Sequence, residues 1–218
     1  MNCYQEAYYK LLEHFGESES WWPAESSFEV VVGAILVQNT NWKNVEKALN
    51  NLRKVDLLSY SALRNLEQEE LAEHIRPAGF YNVKATRLMN FFDMLEESYE
   101  GDVNALLEDE TWSARENLMG VKGIGAETAD AILLYAGAHP LFVVDSYTHR
   151  IFSRHNLLDE ETDYQSIQET FMGNLETDVT LFRAYHGLIL KVAKKYCKKN
   201  NPLCSSCPLC GLNEFEGF

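Results

Sequence analysis

Three groups of residues in this chain have types and spacings that can do chemistry. Cys197, Cys204, Cys207 and Cys210 fall within 14 residues, spaced C-x6-C-x2-C-x2-C. Thiolates this close together wrap one iron–sulfur cluster or one zinc ion. A secreted disulfide framework would spread its cysteines along the chain, so in a reducing compartment the loop reads as a metal site. The second group is "GVKGIGAETADAIL", which places Gly120, Gly123 and Gly125 within six residues and then opens a helix with Glu127 and Thr128. Glycines let a backbone turn sharply and approach a phosphate closely, and the N–H groups of the following helix end favour an anion. The same pattern also serves simply to join two helices. The third is Asp145, which ends the apolar run "PLFVV" 18 residues after Glu127. A carboxylate there either attends developing positive charge or caps the helix of "SYTHRIFSRH".

The elements that carry these groups read as helices. Apolar residues recur at helical spacing in "YYKLLEHF", "NWKNVEKALNNLRKV", "NVKATRLMNFFDMLEES" and "LFRAYHGLILKVAKKYC". "SSFEVVVGAILVQN" begins with serines suited to cap a helix. Its "VVVGAILV" has the composition of a buried strand, but its length and its polar continuation into Gln38 favour a buried helix. No hairpin turn of the Asn-Gly type joins two alternating runs. The expected fold class is all-α.

With 218 residues and 46% hydrophobic composition, the chain can build one large domain or two small ones. No run approaches the ~20 apolar residues of a membrane span, and the first residues lack a signal peptide's pattern. A soluble, cytoplasmic protein with no membrane partner is expected. The net charge of −14 argues against a nucleic-acid partner until its distribution is considered. Residues 93–110 hold eight acidic side chains and no basic one, whereas residues 181–213 hold six basic side chains and no acidic one. One basic region on an acidic chain leaves DNA binding open, beside the plainer reading of a solvated helix end.

Taken together, these residues resemble the helix-hairpin-helix DNA glycosylases of the endonuclease III superfamily. "LMGVKGIGAETADAIL" looks like the family's hairpin, and "VVDSYTHRI" looks like its catalytic aspartate segment. "FEVVVGAILVQNTNWKNVEKAL" is similar to its glutamine loop, "RPAGFYNVKATRL" to its Gly-aromatic turn, and the C-terminal cysteines to its iron–sulfur loop. The resemblance spans residues from about 21 to 210. It implies two lobes: a six-helix bundle over residues 24–138, and a second lobe from residues 1–23 and 139–218. It also implies a partner, double-stranded DNA with a damaged base swung out of the duplex, bound by a monomer on a bacterial or archaeal nucleoid.

The resemblance implies roles residue by residue. Gly120, Lys122, Gly123 and Gly125 would hold a DNA phosphate, with Lys198 and Lys199 as further phosphate contacts, and Asp145 would face the sugar. Gln38 and Phe80 are candidates for filling the hole left by the flipped base and wedging the opposite strand. Bifunctional members carry an imine-forming lysine two residues after the hairpin's second glycine; Glu127 stands there in this chain, and a carboxylate cannot form an imine. Water is then the expected nucleophile, assisted by Asp145. Together "WWP", Trp42 after "QNTN", and the hairpin closely resemble the 3-methyladenine DNA glycosylase branch. Trp21, Trp22, Pro23, Trp42 and Lys194 are the base-pocket candidates, the indoles stacking on a cationic base for ~0.5–2 kcal/mol. The family implies a [4Fe–4S] cluster on the four cysteines, with zinc as the alternative and Cys3 as a less favoured substitute ligand. Two rivals stay open: a bifunctional glycosylase and lyase for oxidised pyrimidines, and a non-catalytic DNA-binding module.

Overall fold

The computed structural model describes residues 1–17 and 22–212. Its described residues form twelve α-helices, two 3-10 turns and no strand. In chain order the helices are α1 (Cys3–Phe15), α2 (Ser27–Leu36), α3 (Trp42–Arg53), α4 (Tyr60–Arg64), α5 (Gln68–His74) and α6 (Tyr81–Tyr99). They continue with α7 (Val103–Glu108), α8 (Thr111–Gly120), α9 (Ala126–Tyr135), α10 (Ser146–Arg154), α11 (Tyr164–Asn174) and α12 (Val179–Lys195). The 3-10 turns are Arg76–Ala78 and Cys204–Ser206. The chain divides into two compact units, one from Ala24–His139 and one from Met1–Pro23 with Pro140–Phe218.

The unit from Ala24 to His139 holds α2 to α9. Ser26 caps α2 by accepting from the Glu29 amide, and the helix is buried nearly all round, from Glu29 to Leu36. That is why its sequence lacks a polar face and reads equally as a strand. Its one buried charge, Glu29, is met by the Arg53 guanidinium from α3. Helices α8 and α9 form a helical hairpin. Arg115 on α8 clasps Asp130 on α9 with Nε–Oδ1 and Nη2–Oδ2 contacts of 2.6 and 3.2 Å. Asp130 is wholly buried, and this two-pronged contact supplies it with charge-assisted hydrogen bonds.

The terminal unit is built on aromatic packing. Phe142 stacks on Phe171 with centroids 4.2 Å apart, and Phe152, Phe182 and Tyr185 are fully buried with them. The Tyr185 hydroxyl donates to the Tyr4 carbonyl at 2.8 Å, tying α12 to α1. The apolar run Leu141–Val144 forms no helix, yet all four residues are buried. Its backbone is held instead by the Gln168 amide, which donates to the Phe142 carbonyl at 2.8 Å. The residue delivered by that anchored segment is Asp145.

Removing one partner of the Arg115–Asp130 pair strands the other charge in the interior, at a cost of about 3–5 kcal/mol. Asp130→Ala should lose that much unfolding free energy in urea titration. A loss below about 1 kcal/mol would mean that the pair does not hold the two hairpin helices.

Candidate active site

Asp145 is the N-cap of α10, and its two oxygens have different partners. Oδ1 accepts from the Tyr147 amide at 3.0 Å, the Thr148 amide at 2.7 Å and the Thr148 hydroxyl at 2.9 Å. Oδ2 stands 3.7 Å from Nε2 of His186 on α12, in surroundings that leave the side chain only 9% exposed. Burial by itself would push the carboxyl up. The His186 contact and the Thr148 donors outweigh it, and the net direction is down. Asp145 therefore caps the helix with one oxygen while keeping a buried, ionised second oxygen. The two readings of this residue in the sequence are compatible.

The hairpin turn lies between α8 and α9 in the other unit. The Val121 carbonyl accepts from the Ile124 amide at 3.0 Å, closing a tight turn around Lys122 and Gly123. Gly123 has φ +104°, and an added Cβ would stand 2.5 Å from Cγ of Arg87. Only glycine fits there. Gly125 is the N-cap of α9, and Gly120 is the last residue of α8. Lys122, Gly123, Gly125 and Glu127 are exposed. Glu127 lies in the first turn of α9, where a carboxylate suits the helix dipole.

Gln38 belongs to the same unit and is fastened to this hairpin. Its Nε2 donates to the Gly123 carbonyl at 3.1 Å and to the Thr128 hydroxyl at 2.9 Å, and its Oε1 accepts from the Arg87 guanidinium. Phe80 adopts φ 47°, ψ 33° and is 71% exposed. A bulky residue in the left-handed region carries backbone strain. Trp42 is the first residue of α3 and half-buried, while Trp22 is buried in the terminal unit beside exposed Pro23 in the chain. Trp21 lies outside the described residues. Lys194, Lys198 and Lys199 are exposed in the terminal unit.

All four cysteines of the loop line one cavity of about 260 Å³, together with residues that include Ile151, Arg154 and Tyr196. Successive turns build the loop, the Cys207 amide donating to the Cys204 carbonyl and the Cys210 amide to the Cys207 carbonyl. Burial, then the neighbouring thiols, push the Cys207 thiol up. A positive centre among the thiols would relieve both effects. Among the described residues no three His, Cys, Asp or Glu side chains are drawn together around one ion. Four thiols lining one cavity are consistent with an iron–sulfur loop. Cys3 lies on α1 and is not among the cavity's lining residues.

Arg150 and Arg154, which the sequence reading passed over, complete this end of the unit. Arg150 donates to the Cys197 carbonyl at 3.0 Å. Arg154 reaches Cys197 Sγ at 3.3 Å and the carbonyls of Lys198 and Lys199 at 2.7 and 2.9 Å. Their signal was two arginines four residues apart on one short helix. Helix α10 thus begins at the aspartate and ends on the cysteine loop.

A helical hairpin with a glycine turn, a buried aspartate cap and a four-cysteine loop define a class of DNA repair folds. The family model for the HhH-GPD superfamily base excision DNA repair protein matches residues 32–177. The chain belongs to that superfamily. It is 47% identical over 202 residues to the Methanocaldococcus jannaschii protein named "Putative DNA repair glycosylase MJ1434", spanning 92% of this chain and 91% of that one. The structure of the Helicobacter pylori 3-methyladenine DNA glycosylase MagIII, bound to 1,N6-ethenoadenine, is similar at TM-score 0.74 and 30% identity. That similarity covers 89% of this chain and 98% of MagIII. An endonuclease III–DNA covalent intermediate shares the fold at TM-score 0.82 and 24% identity, covering 97% and 96% of the two chains. No described helix is long and apolar enough to cross a membrane.

The lowered carboxyl of Asp145 has a measurable sign. An acid ionised more readily in the folded state than in the unfolded chain stabilises the fold above its unfolded value. That stability is lost as pH falls through the folded value. Asp145→Asn keeps a capping side chain, so the stability difference between wild type and variant should be full near neutral pH. It should shrink as pH drops past the ordinary aspartate value of about 3.9. A difference that stays constant from neutral pH to about pH 3 would show that Asp145 is not held ionised.

Proposed function

We propose that this protein is a monofunctional DNA N-glycosylase that removes alkylated purines such as 3-methyladenine, acting as a monomer on double-stranded DNA. The observation that carries this reading is the buried second oxygen of Asp145, in a chain whose hairpin bears Glu127 where an imine-forming lysine would stand. The hairpin amides around Gly123 and Gly125 grip a phosphate, with Lys122, Lys198 and Lys199 as further backbone contacts. Phe80 wedges the duplex as the damaged nucleotide swings out. Trp22, Pro23 and Lys194 of the terminal unit serve the base, the indole face attracting its positive charge.

As the glycosidic bond breaks, the base leaves with the bonding electrons and positive charge grows on the sugar. Asp145 Oδ2 stabilises that charge, water adds at the same carbon, and its proton is lost to the carboxylate or to solvent. An alkylated purine already carries positive charge and leaves as a neutral base, so no covalent intermediate is required. The similarity to MagIII at 30% identity supports this substrate class. Cys197, Cys204, Cys207 and Cys210 would hold a [4Fe–4S] cluster that organises the basic loop and takes no part in hydrolysis.

Base release from DNA carrying 3-methyladenine, set beside DNA carrying thymine glycol, tests the reading. Release from the first only is expected, with an abasic product that persists until alkali cleaves it. Borohydride during turnover should trap no adduct. A trapped adduct that Lys122→Ala abolishes would restore the bifunctional alternative. Asp145→Asn should lower excision by about 10²–10³ or more while DNA binding survives.

Metal analysis tests the cluster separately. About four irons per chain and a yellow-brown colour are expected, and Cys210→Ser should lower the iron content. A colourless protein with one zinc would overturn the cluster while keeping the site.

A further inference from the structure

Helix α6 carries a row of polar residues, Lys84, Arg87 and Asn90, at intervals of three. That spacing puts them on one side of the helix. Each donates to a different segment of the same unit. Lys84, 1% exposed, donates through Nζ to the Leu36 carbonyl at 2.8 Å and the Ala78 carbonyl at 2.7 Å. Leu36 ends α2, two residues before Gln38, and Ala78 ends the 3-10 turn, two residues before Phe80. Both carbonyls are at helix ends, where they lack an intrahelical partner and carry partial negative charge. One ammonium therefore fixes the starting points of both loops. Burial, and then the charge of Arg87, push Lys84 down to about 8, a cost borne for these two bonds.

Arg87 and Asn90 act on the hairpin. Asn90 donates to the Lys122 carbonyl at 2.9 Å. The Arg87 methylenes fill the space against Gly123, and its guanidinium holds Gln38, whose own amide nitrogen holds the Gly123 carbonyl. In a trans peptide the carbonyl and the following N–H point in opposite directions. Drawing the Lys122 carbonyl towards α6 therefore turns the Gly123 N–H away from it. Both donor hydrogens of the Gln38 amide have acceptors, at Gly123 and Thr128.

We propose that Arg87 and Gln38 are positioning residues for the phosphate grip: Arg87 holds Gln38, and Gln38 orients the hairpin peptides. Gln38 thus braces the hairpin in the unbound protein. The glutamine loop, the Phe80 turn and the hairpin then move as one piece, set by one side of α6. The proposal rests on the DNA glycosylase reading for its purpose, and on the geometry of a single unit for its existence.

The test compares Gln38→Ala, Arg87→Met and their combination on undamaged duplex DNA, which offers no lesion or flipped base. Each single variant should weaken binding by about tenfold, the scale of one hydrogen bond to a charged group. The combined variant should be no weaker than either alone, because both break the same chain of contacts. Hydrogen exchange at the Ile124 amide should quicken in all three. Gln38→Glu keeps the oxygen facing Arg87 but loses the donor to Gly123, so it should show the same faster exchange in a fold that retains its Arg87 contact. The brace is overturned if Gln38→Ala leaves undamaged-DNA affinity and Ile124 exchange unchanged and weakens only DNA containing an abasic analogue. It is equally overturned if the two losses add. Wild-type protein that neither binds DNA nor releases a base would sink the glycosylase reading instead, and the exchange measurements would still decide the brace.

Discussion

A carboxylate taken out of water must be given donors, and the terminal unit is arranged around that requirement at Asp145. Three donors from the first turn of α10 meet one oxygen, which fixes the start of the helix. His186 faces the other oxygen from α12. The segment before it, Leu141–Val144, is buried without being helical, so it needs Gln168 to hold its backbone. The far end of α10 then places Arg150 and Arg154 on the backbone of the cysteine loop. A nine-residue helix thereby connects the candidate catalytic group to the candidate metal loop.

The hairpin unit solves a different problem. A glycine turn has few side chains of its own to hold it, so its shape must come from outside. The Arg115–Asp130 pair fixes the two helices that flank it, and α6 supplies the polar contacts that orient its carbonyls. Phe80 shows the same division of labour. Its left-handed backbone carries strain that only a fixed neighbourhood sustains, and Lys84 provides part of that neighbourhood from the Ala78 carbonyl.

Much of the acidic segment, residues 93–110, does structural work. In the acidic segment, Asp102 and Glu110 cap α7 and α8. Asp93 pairs with Arg64 at 3.0 Å, Glu96 accepts from the Tyr60 hydroxyl and Asp109 from the Tyr99 hydroxyl. Five of the eight acidic side chains of this segment thus have structural partners within the hairpin unit. The lysines of the C-terminal segment stay exposed. The net charge is thus a poor guide to the partner, because the two signs do different work in different places.

The all-α fold was legible in the sequence wherever a helix is long enough to show an apolar stripe, as in α1, α3, α6 and α12. Helices α4, α5 and α7 were not, because five to seven residues hold too little of the period. The identities of the chemically capable residues were also legible: the cysteine spacing, the glycine turn and Asp145 depend on residue type and order alone. The sequence could not say that Asp145 caps with one oxygen and keeps the other, since that depends on His186, 41 positions away. Nor could it reveal the Lys84, Arg87 and Gln38 contacts, or the thiols gathered around one cavity. Local residue order determined which groups were available. Long-range packing decided which of their hydrogen-bonding positions were already spent, because burial forces each polar group to find a partner wherever the fold brings one.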